Sequence, residues 1–422
     1  MRRKKFTFLL HNAYAVGGTV RTTLNLASAL ADAGHSVEIA SLNRHRETPR
    51  FATDPRVRLV PLVDLRDGAA DRGSPQFAEP ARDFPAADRR HAQYTRLHDL
   101  RVREHLIASR SDVVIGTRPG LNVYVALFGR RGALRLAQEH LRLEAHSAKL
   151  RAVLARHYRG LDAVITTTEA DAAAYRARMR LPGVRIAAVP NIVPCRGLAA
   201  PDQPEPVIAA AGRLVPGKRF DLLIGAFAPV AAKHPAWTLR IYGGGPEKAR
   251  LRQLIQDLEL VGRVRLMGTR SPIEEEFARA ALVVSSSDAE SFGMTLVEAM
   301  RCRVPVISTD CPLGPAEIIH DGIDGCLVPK GDPRALTDAM LGLIGNEPRR
   351  RLMADAAQVS ARRYDPGRIV AHYARLLAAL PPHPALRALR RAAASAAHRA
   401  RAARRSARAA LRARTAVRTS TR

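Results

Sequence analysis

Short apolar segments alternate with helix-length segments along most of the chain, and this alternation limits the fold more than any other feature. Phe6–Leu10 has the character of a strand, Thr19–Ala33 has the apolar spacing of a helix, and Val37–Ala40 resembles a second strand. Comparable apolar runs recur at DVVIG, ALRLA, AVITT and RIAAV. Strands that alternate with helices in this way predict a parallel sheet covered on both faces.

A second series of the same kind follows Pro194–Pro206, a proline-rich segment without periodicity that predicts a domain linker. Its apolar runs are VIAAAG, TLRIYG, RVRLMG, ALVVSS, VPVIS and GCLVP. We therefore expect an α/β protein with two Rossmann-like domains whose strand-end loops face a central cleft. Arg66–Arg90, rich in Pro, Gly, Asp and Arg, interrupts the first series and is predicted to be a long surface loop or insertion.

The chain is strongly basic, with 68 Lys and Arg residues against 39 Asp and Glu residues and a net charge of +29. Such a surface indicates an anionic partner, which could be nucleic acid, a phosphorylated substrate or an anionic membrane. Part of the excess lies in residues 383–422, an Arg/Ala-rich tail with twelve arginines and no acidic residue. Arginines 401, 404, 405, 408 and 412 would form one stripe of a helix. A membrane-adhering helix and a disordered basic tail both fit this composition.

Four cysteines in 422 residues show no metal-ligand spacing, which favours a reducing compartment. The apolar run near the start ends at His11 and Asn12 and is too short for a signal peptide. No run approaches the ~20 apolar residues of a transmembrane helix. We expect a cytoplasmic protein, with peripheral attachment to the inner face of the membrane as the alternative.

Two loops of the second half carry features suited to a diphosphate. The segment GRLVPGKRF places Arg213 after a predicted strand and Lys218 at the start of the next helix. Cations beside a helix N-terminus favour phosphate groups, although exposed cations without a ligand would give the same pattern. The segment YGGGPEKARL allows either close approach of a ligand to the backbone or a tight turn. It lacks GxGxxG, which argues against a dinucleotide oxidoreductase.

The third loop, ESFGMTLVEAM, places two carboxylates eight positions apart. Glu290 would project from the loop that follows a predicted strand, and Glu298 would lie two turns into the following helix. The amides between them can bind phosphate or sugar oxygens, and carboxylates accept hydrogen bonds from vicinal hydroxyls. The alternative is that Glu290 caps the helix and Glu298 is solvated.

Together and in this order, the three loops resemble glycosyltransferase family 4, the retaining enzymes of GT-B fold that use nucleotide-sugars. The similarity is strong over residues 205 to 365 and looser at Gly17-Gly18 and VPNIV. One position departs from the family, because Arg303 stands near the place where many members have glycine. The matching residues are Gly212, Arg213, Lys218, Gly243–Pro246, Glu290, Glu298 and Ala316–Pro329.

The resemblance implies a role for each matching residue. Arg213 and Lys218 would neutralise the donor diphosphate, Glu298 would bind the ribose hydroxyls, and Glu290 would face the transferred sugar. His140 resembles a histidine near the sugar and acceptor in many members, with a surface or hinge histidine as the alternative. Arg118, at another predicted strand end, could meet an anionic acceptor. Further donor contacts are expected from Gly17, Gly18, Gly244, Phe292, Gly293 and Met294.

The resemblance also implies the function. A retaining glycosyltransferase would move a sugar from a nucleotide-diphosphate sugar, UDP above GDP or ADP, to a glycan, lipid-linked or cell-envelope polymer acceptor. No D-x-D motif occurs, so we expect neither a catalytic metal nor another cofactor. A GT-B epimerase or phosphorylase is the nearer alternative. A nucleic-acid-binding protein is the more distant one, because the chain lacks aromatic-basic interleaving and zinc or helix-turn-helix signatures.

The family pattern also predicts the domain organisation. The acceptor-side domain would cover residues 1–193, followed by a linker at 194–206 and the nucleotide-sugar domain at 207–365. A helix over 366–382 would cross back to the first domain, and the basic tail would occupy 383–422.

Overall fold

The structure is a computed structural model that describes residues 2–195, 197–201 and 203–396. The chain divides into two compact units. Unit 1 comprises the chain up to Thr166, Ala172–Ala188 and the chain from His372 onward, and unit 2 comprises Thr167–Asp171 and Val189–Ala371. The predicted boundary at residue 193 therefore lies a few residues beyond the point where the chain passes into unit 2.

Unit 1 is built on a sheet of seven parallel strands in the order β3-β2-β1-β4-β5-β6-β7. The strands are β1 (Lys5–Leu10), β2 (Ser36–Arg44), β3 (Val57–Asp64), β4 (Val113–Gly116), β5 (Leu134–Gln138), β6 (Ala163–Thr166) and β7 (Arg185–Ala188). The helices that follow them are α1 (Gly18–Asp32), α2 (Pro75–Ala78), α3 (Arg96–Ala108), α4 (Pro119–Phe128), α5 (Ala148–His157) and α6 (Glu169–Arg178). Because helices cover both faces, central strands such as β4 are buried at every residue.

Unit 2 repeats this plan with six parallel strands in the order β10-β9-β8-β11-β12-β13. The strands are β8 (Glu205–Ala211), β9 (Thr238–Tyr242), β10 (Val264–Gly268), β11 (Ala280–Ser285), β12 (Val306–Asp310) and β13 (Gly325–Pro329). The helices are α7 (Phe220–Lys233), α8 (Lys248–Asp257), α9 (Glu274–Phe277), α10 (Met294–Arg301), α11 (Pro315–Ile318), α12 (Pro333–Ile344) and α13 (Glu347–Ala361).

Strand order reverses once in each sheet, between β1 and β4 in unit 1 and between β8 and β11 in unit 2. At such a point the loops at the carboxyl ends of two neighbouring strands turn to opposite faces, which opens a crevice for ligands. The two reversal points are therefore the places where each unit is best shaped to bind a substrate.

The last described helices belong partly to unit 1. Helix α14 (Pro366–Ala378) begins in unit 2, and the division between the units falls at Ala371. A further helix covers residues 384–396 of the predicted tail. Arg391 forms an ion pair of 2.8 Å with Asp162, and the buried Arg387 donates to the carbonyls of Arg131 and Gly132. The predicted arginine stripe from 401 to 412 lies outside the described residues.

The structure departs from the sequence predictions in unit 1. Strand β3, at the sheet edge, is absent from the predicted set, because Pro61 and half-exposed positions break its apolar run. Residues 66–90 do not form a simple surface loop. They include helix α2, and Phe84 is buried so closely against α4 that a side chain at Gly120 would overlap its ring.

Candidate functional site

The reversal point of unit 2 brings the first and third predicted loops together. Lys218 ends a 3-10 turn, Pro216–Lys218, and Arg219 with φ 49° separates it from helix α7. Lys218 therefore precedes the helix by two residues and does not begin it. Ser286 Oγ donates to the carbonyls of Lys218 and Arg219 at 3.1 and 2.9 Å. These bonds hold the loop after β8 against the loop after β11.

Lys218 and Glu290 form an ion pair within this site. Ser287 Oγ also donates to the same carboxylate oxygen at 2.7 Å. The Glu290 backbone is fixed on both sides, since its amide donates to Pro312 at 2.8 Å and its carbonyl accepts from Leu313 at 2.8 Å. An ammonium has three donors, so Lys218 can contact this carboxylate and a phosphate at the same time.

Arg213 lies on the same loop, two residues after β8, and is exposed. Among the residues that the structure describes, its guanidinium takes part in no hydrogen bond or ion pair. A cation held near a strand end without a carboxylate partner is suited to an anionic ligand.

The glycine loop packs directly on the Arg213 loop. A side chain at Gly243 would lie 1.8 Å from the carbonyl oxygen of Gly212, and one at Gly245 would lie 2.3 Å from that of Leu214. Leu214 also donates to Gly244 at 2.9 Å. Close packing on the Arg213 loop, which neither predicted alternative included, therefore accounts for Gly243 and Gly245. The donor contact predicted for Gly244 stays a prediction.

Helix α10 carries the remaining predicted donor residues of unit 2. Gly293 caps it with φ 108°, a left-handed conformation that favours glycine, so the helix begins at Met294. Glu298 is consequently the fifth helical residue, little more than one turn in, and the prediction of two turns is wrong. Phe292 is buried and packs edge-to-face on Tyr364 with a centroid distance of 5.4 Å.

Glu298 is 3% exposed, which contradicts the alternative of a solvated side chain. Buried carboxylates are rare, because burial of a charge without partners has a high free-energy cost. At the other end of α10, Arg303 adopts φ 58°, a left-handed conformation that favours glycine. Its guanidinium pairs with Asp355.

In unit 1, His140 follows β5 by two residues, and its Nε2 is buried without a hydrogen-bond partner among the described residues. Burial lowers the pKa of His140 to about 4, so the ring is neutral at pH 7. The residue as a whole is half-buried, and its role near the sugar and acceptor stays a prediction. Its neighbour Glu139 is buried and accepts hydrogen bonds from Asn122 and Tyr158.

Gly17 and Gly18 lie where β1 leads into α1, with Gly17 as the helix cap. A side-chain carbon at either position would meet no atom within 4 Å. Packing in unit 1 therefore does not require glycine here, and the open space leaves the first amides of the helix accessible. The structure thus places these residues at the reversal point of unit 1.

The described residues contain neither a clustered metal-ligand set nor a membrane-spanning helix. No group of three or more His, Cys, Asp or Glu side chains in residues 2–195, 197–201 and 203–396 is arranged to hold a metal ion. Over the same residues, no helix combines the length and apolar character needed to span a membrane.

Several residues that organise the two reversal points were not predicted from the sequence. Ser286 and Ser287 hold the Lys218 and Glu290 loops, and only their position after an apolar strand could have identified them. In unit 1, Asp88 and Tyr94 were also not predicted. Asp88 lies within residues 66–90, which the sequence predicts to be a surface loop, and Tyr94 follows that segment.

Two family models match the chain. The model for glycosyl transferases group 1 matches residues 199–360, and the model for a glycosyl transferase 4-like domain matches residues 17–192. The two matches coincide closely with units 2 and 1.

The individual proteins similar to this chain include a phosphotransferase and a glycosyltransferase. An exopolysaccharide phosphotransferase of Streptomyces coelicolor is 34% identical over 89% of this chain, and the chain spans 41% of that protein's length. A poly(ribitol-phosphate) alpha-N-acetylglucosaminyltransferase of Staphylococcus aureus is 33% identical over 34% of this chain and 29% of its own length. Both relatives are named as transferases, which does not favour the epimerase alternative.

The fold matches solved structures over most of the chain. A variant of Staphylococcus aureus TarM, crystallised with fondaparinux, alpha-GlcNAc-glycerol and UDP, has a TM-score of 0.71 at 17% identity. The match covers 88% of this chain and 99% of TarM. The expected architecture of two Rossmann-like α/β units, as in the GT-B fold, is confirmed.

Proposed function

Because the chain belongs to the group 1 glycosyltransferases of GT-B fold, we propose that it transfers a sugar from a UDP-sugar to a glycan or cell-envelope acceptor with retention of configuration. The observation that carries the donor half of this proposal is the ion pair between Lys218 and Glu290 beside the exposed Arg213. The three side chains lie on loops after β8 and β11, where the strand order of unit 2 reverses.

We assign the two cations to the diphosphate. When the bond between the sugar and the β-phosphate breaks, negative charge grows on the phosphate oxygens, and fixed cations lower the barrier most when they need not move. Bonds from Ser286 hold the Lys218 backbone, so its ammonium starts from a defined position. Glu298 would accept hydrogen bonds from the ribose, and the amides after Phe292 would bind the sugar and phosphate.

We assign Glu290 to the transferred sugar. Its second carboxylate oxygen can accept a sugar hydroxyl while Lys218 and Ser287 bind the first. In that arrangement Lys218 contacts both the Glu290 carboxylate, which binds the sugar, and the phosphate that departs from the sugar. His140, neutral at pH 7, is proposed as a hydrogen-bonding group for the sugar or acceptor.

Retention needs no protein nucleophile in this scheme. The acceptor oxygen attacks the anomeric carbon from the face that the phosphate leaves, and its proton passes to the departing phosphate. Burial raises the pKa of Cys302 to about 12 and that of Cys311 to about 11, so both remain thiols at pH 7. Neither is activated for nucleophilic attack.

The comparisons support the choice of donor and acceptor class. The Staphylococcus aureus relative is named for transfer of N-acetylglucosamine to poly(ribitol-phosphate), and TarM was crystallised with UDP. For this chain, a UDP-sugar and a cell-envelope polymer follow by analogy. We also propose that the protein is cytoplasmic and that its basic tail attaches it to an anionic membrane surface.

The test is hydrolysis of UDP-, GDP- and ADP-sugars by the purified chain without acceptor, with the anomeric configuration of the released sugar read by NMR. We expect one UDP-sugar to be hydrolysed and the released sugar to keep the donor's configuration. Lys218→Met, which retains side-chain length but not charge, should lower this activity by ~10²-fold. Equal hydrolysis of all donors by both proteins would refute the proposed donor site.

A further inference from the structure

The reversal point of unit 1 contains a second group of polar side chains that the donor chemistry does not use. His11 follows β1 directly, and Arg118 caps helix α4 just after β4. The two residues therefore lie at the carboxyl ends of the two neighbouring strands that flank the reversal point. Asp88 and Arg90 join them from the segment between β3 and α3. We call His11, Asp88, Arg90 and Arg118 the β1/β4 cluster.

A chain of hydrogen bonds fixes the proton of His11. The Thr95 amide donates to His98 Nδ1 at 3.0 Å, so the His98 proton lies on Nε2 and is donated to Asn43 Oδ1 at 2.9 Å. Asn43 Nδ2 then donates to the carbonyl oxygen of His11 at 3.0 Å and approaches its Nδ1 at 3.3 Å. The hydroxyl of Tyr94, 2.7 Å from Nδ1, donates to the same nitrogen. The proton of His11 therefore lies on Nε2.

His11 keeps this state over the physiological range. Burial and the nearby charges of Arg90 and Arg118 lower the pKa of His11 to about 3. The ring is therefore a neutral hydrogen-bond donor through Nε2 and does not change charge near pH 7. The same two arginines provide the positive charge of the cluster.

Asp88 holds the Arg118 side chain and the Arg90 backbone. Its side chain is 3% exposed, and its Oδ1 accepts from the Arg90 amide at 2.9 Å and from Arg118 Nη2 at 3.3 Å. Its Oδ2 is buried and has no hydrogen-bond partner among the described residues, and the same is true of Arg118 Nε. The Arg118 guanidinium faces this carboxylate, whereas that of Arg90 is exposed and donates to Gln93 Oε1 at 3.0 Å. Two arginines and one carboxylate leave the cluster with a net positive charge and one carboxylate oxygen without a hydrogen-bond partner among the described residues.

We propose that the β1/β4 cluster recognises an anionic group, a phosphate or a carboxylate, on the acceptor. Arg118, Arg90 and the Nε2 proton of His11 supply donors to the anion, and Asp88 Oδ2 accepts a hydroxyl beside it. A polyol phosphate or a sugar acid combines these two features. This inference rests on the proposed function, because it describes the acceptor of the same transfer reaction.

The experiment measures binding of small anionic probes to the full chain saturated with UDP, which occupies the diphosphate site. Glycerol 3-phosphate and glucuronate are the phosphate and carboxylate probes, and glycerol and glucose are the neutral controls. Dissociation constants come from ligand-observed NMR titrations. We compare the wild type with Arg118→Gln and with Arg103→Gln, which removes one charge from an exposed position on α3.

We expect at least one anionic probe to bind tighter than its neutral control. Arg118→Gln should weaken that binding by ~10-fold or more, since it removes a hydrogen bond between charged groups. Arg103→Gln should leave it unchanged. Equal binding of charged and neutral probes, or equal loss in the two variants, overturns the proposal.

A second variant addresses folding. Arg118→Gln leaves the buried Asp88 without its partner, whereas the double variant Asp88→Asn with Arg118→Gln retains an amide pair in the same place. It should fold, bind UDP as tightly as the wild type and still lose the anionic probe; retention of tight anion binding overturns the proposal. If the proposed function is wrong, the wild type itself will not bind UDP or hydrolyse the donor. If only this inference is wrong, the wild type will still bind UDP and hydrolyse the donor.

Discussion

The Lys218 ammonium and the Glu290 carboxylate form an ion pair across 72 positions of sequence at the strand-order reversal of unit 2. From the sequence, Lys218 is expected to bind the diphosphate and Glu290 the sugar. Their contact does not contradict this assignment, since the two ligand groups are themselves covalently joined. It does mean that a change at one residue alters the charge next to the other.

Replacement of either cation should lower the turnover number by ~10²-fold, because we assign both to the charge that develops on the phosphate in the transition state. The variants are Lys218→Met and Arg213→Met, and Arg252→Met at an exposed position of α8 is the matched control. Steady-state kinetics with the hydrolysed donor measure the effect. Wild-type turnover in both site variants would remove the diphosphate assignment.

Coupling between Lys218 and Glu290 can be measured with a double-variant cycle. Adding Glu290→Gln to Lys218→Met should reduce turnover by less than the product of the two single effects, because the residues touch. Independent, multiplicative effects would show that the ion pair does not persist in the reacting complex.

Glu298→Gln should weaken UDP binding by ~10-fold, whereas Glu290→Gln should leave it near the wild-type value and lower turnover instead. Ribose contacts are equal in the ground and transition states, but contacts to the reacting sugar strengthen as it flattens. Calorimetry with UDP separates the two variants. Circular dichroism controls for folding, since Glu298 is buried.

Stability should fall in mild acid. The pKa of His11 is lowered to about 3 and those of His98 and His140 to about 4, mainly by burial, from 6.5. The unfolded chain therefore binds protons that the folded chain excludes, and stability present above pH 6.5 is lost as the pH falls toward 4.

The melting temperature at pH 7.5 and pH 5 measures this loss. His140→Gln should show a smaller drop between the two pH values than the wild type, whereas the exposed His383→Gln should show the same drop. An identical drop in all three proteins would mean that His140 titrates normally.

Transfer should not depend on a divalent metal, because the proposed site neutralises the diphosphate with Lys218 and Arg213. We expect EDTA to leave the rate unchanged and added Mg²⁺ or Mn²⁺ to have no effect. Complete loss of activity that Mg²⁺ restores would contradict this.

The tail should bind anionic vesicles, at about 1 kcal/mol for each basic residue near the surface. The informative truncation ends after Ala396, since it retains Arg387 and Arg391 and their contacts with unit 1. We expect the full chain to sediment with anionic vesicles more than this truncated chain does, and neither to sediment with neutral ones. Equal sedimentation with anionic vesicles would exclude the tail as the attachment.

Much of the fold could be predicted because fully buried parallel strands appear as continuous apolar runs. All six strands of unit 2 coincide with such runs. Edge strand β3 was missed since only a few of its residues are buried. The start of α10 was placed too early because the conformation of Gly293 cannot be read from its identity alone.

The positions of candidate site residues could be predicted where those residues follow neighbouring strands of one sheet. They could not be predicted where the residues meet through long-range packing. Arg213, Lys218 and Glu290 follow apolar strands, so topology alone brings them to one edge. The contact of Asp88 with Arg118 depends on how residues 66–90 fold against α4, and no local pattern encodes that. For the same reason the sequence could not show that Asn43 and His98 orient His11.

The helix over residues 384–396 has a practical consequence for assays on solid supports. Its arginines contact Asp162, Arg131 and Gly132, which precede β6 and β5 and so lie at the amino edge of the unit 1 sheet. The β1/β4 cluster lies at the opposite, carboxyl edge. A protein immobilised on a sensor chip through a handle just after Ala396 would therefore be held by the edge remote from the cluster. The carboxyl edge would then stay open to the proposed acceptor.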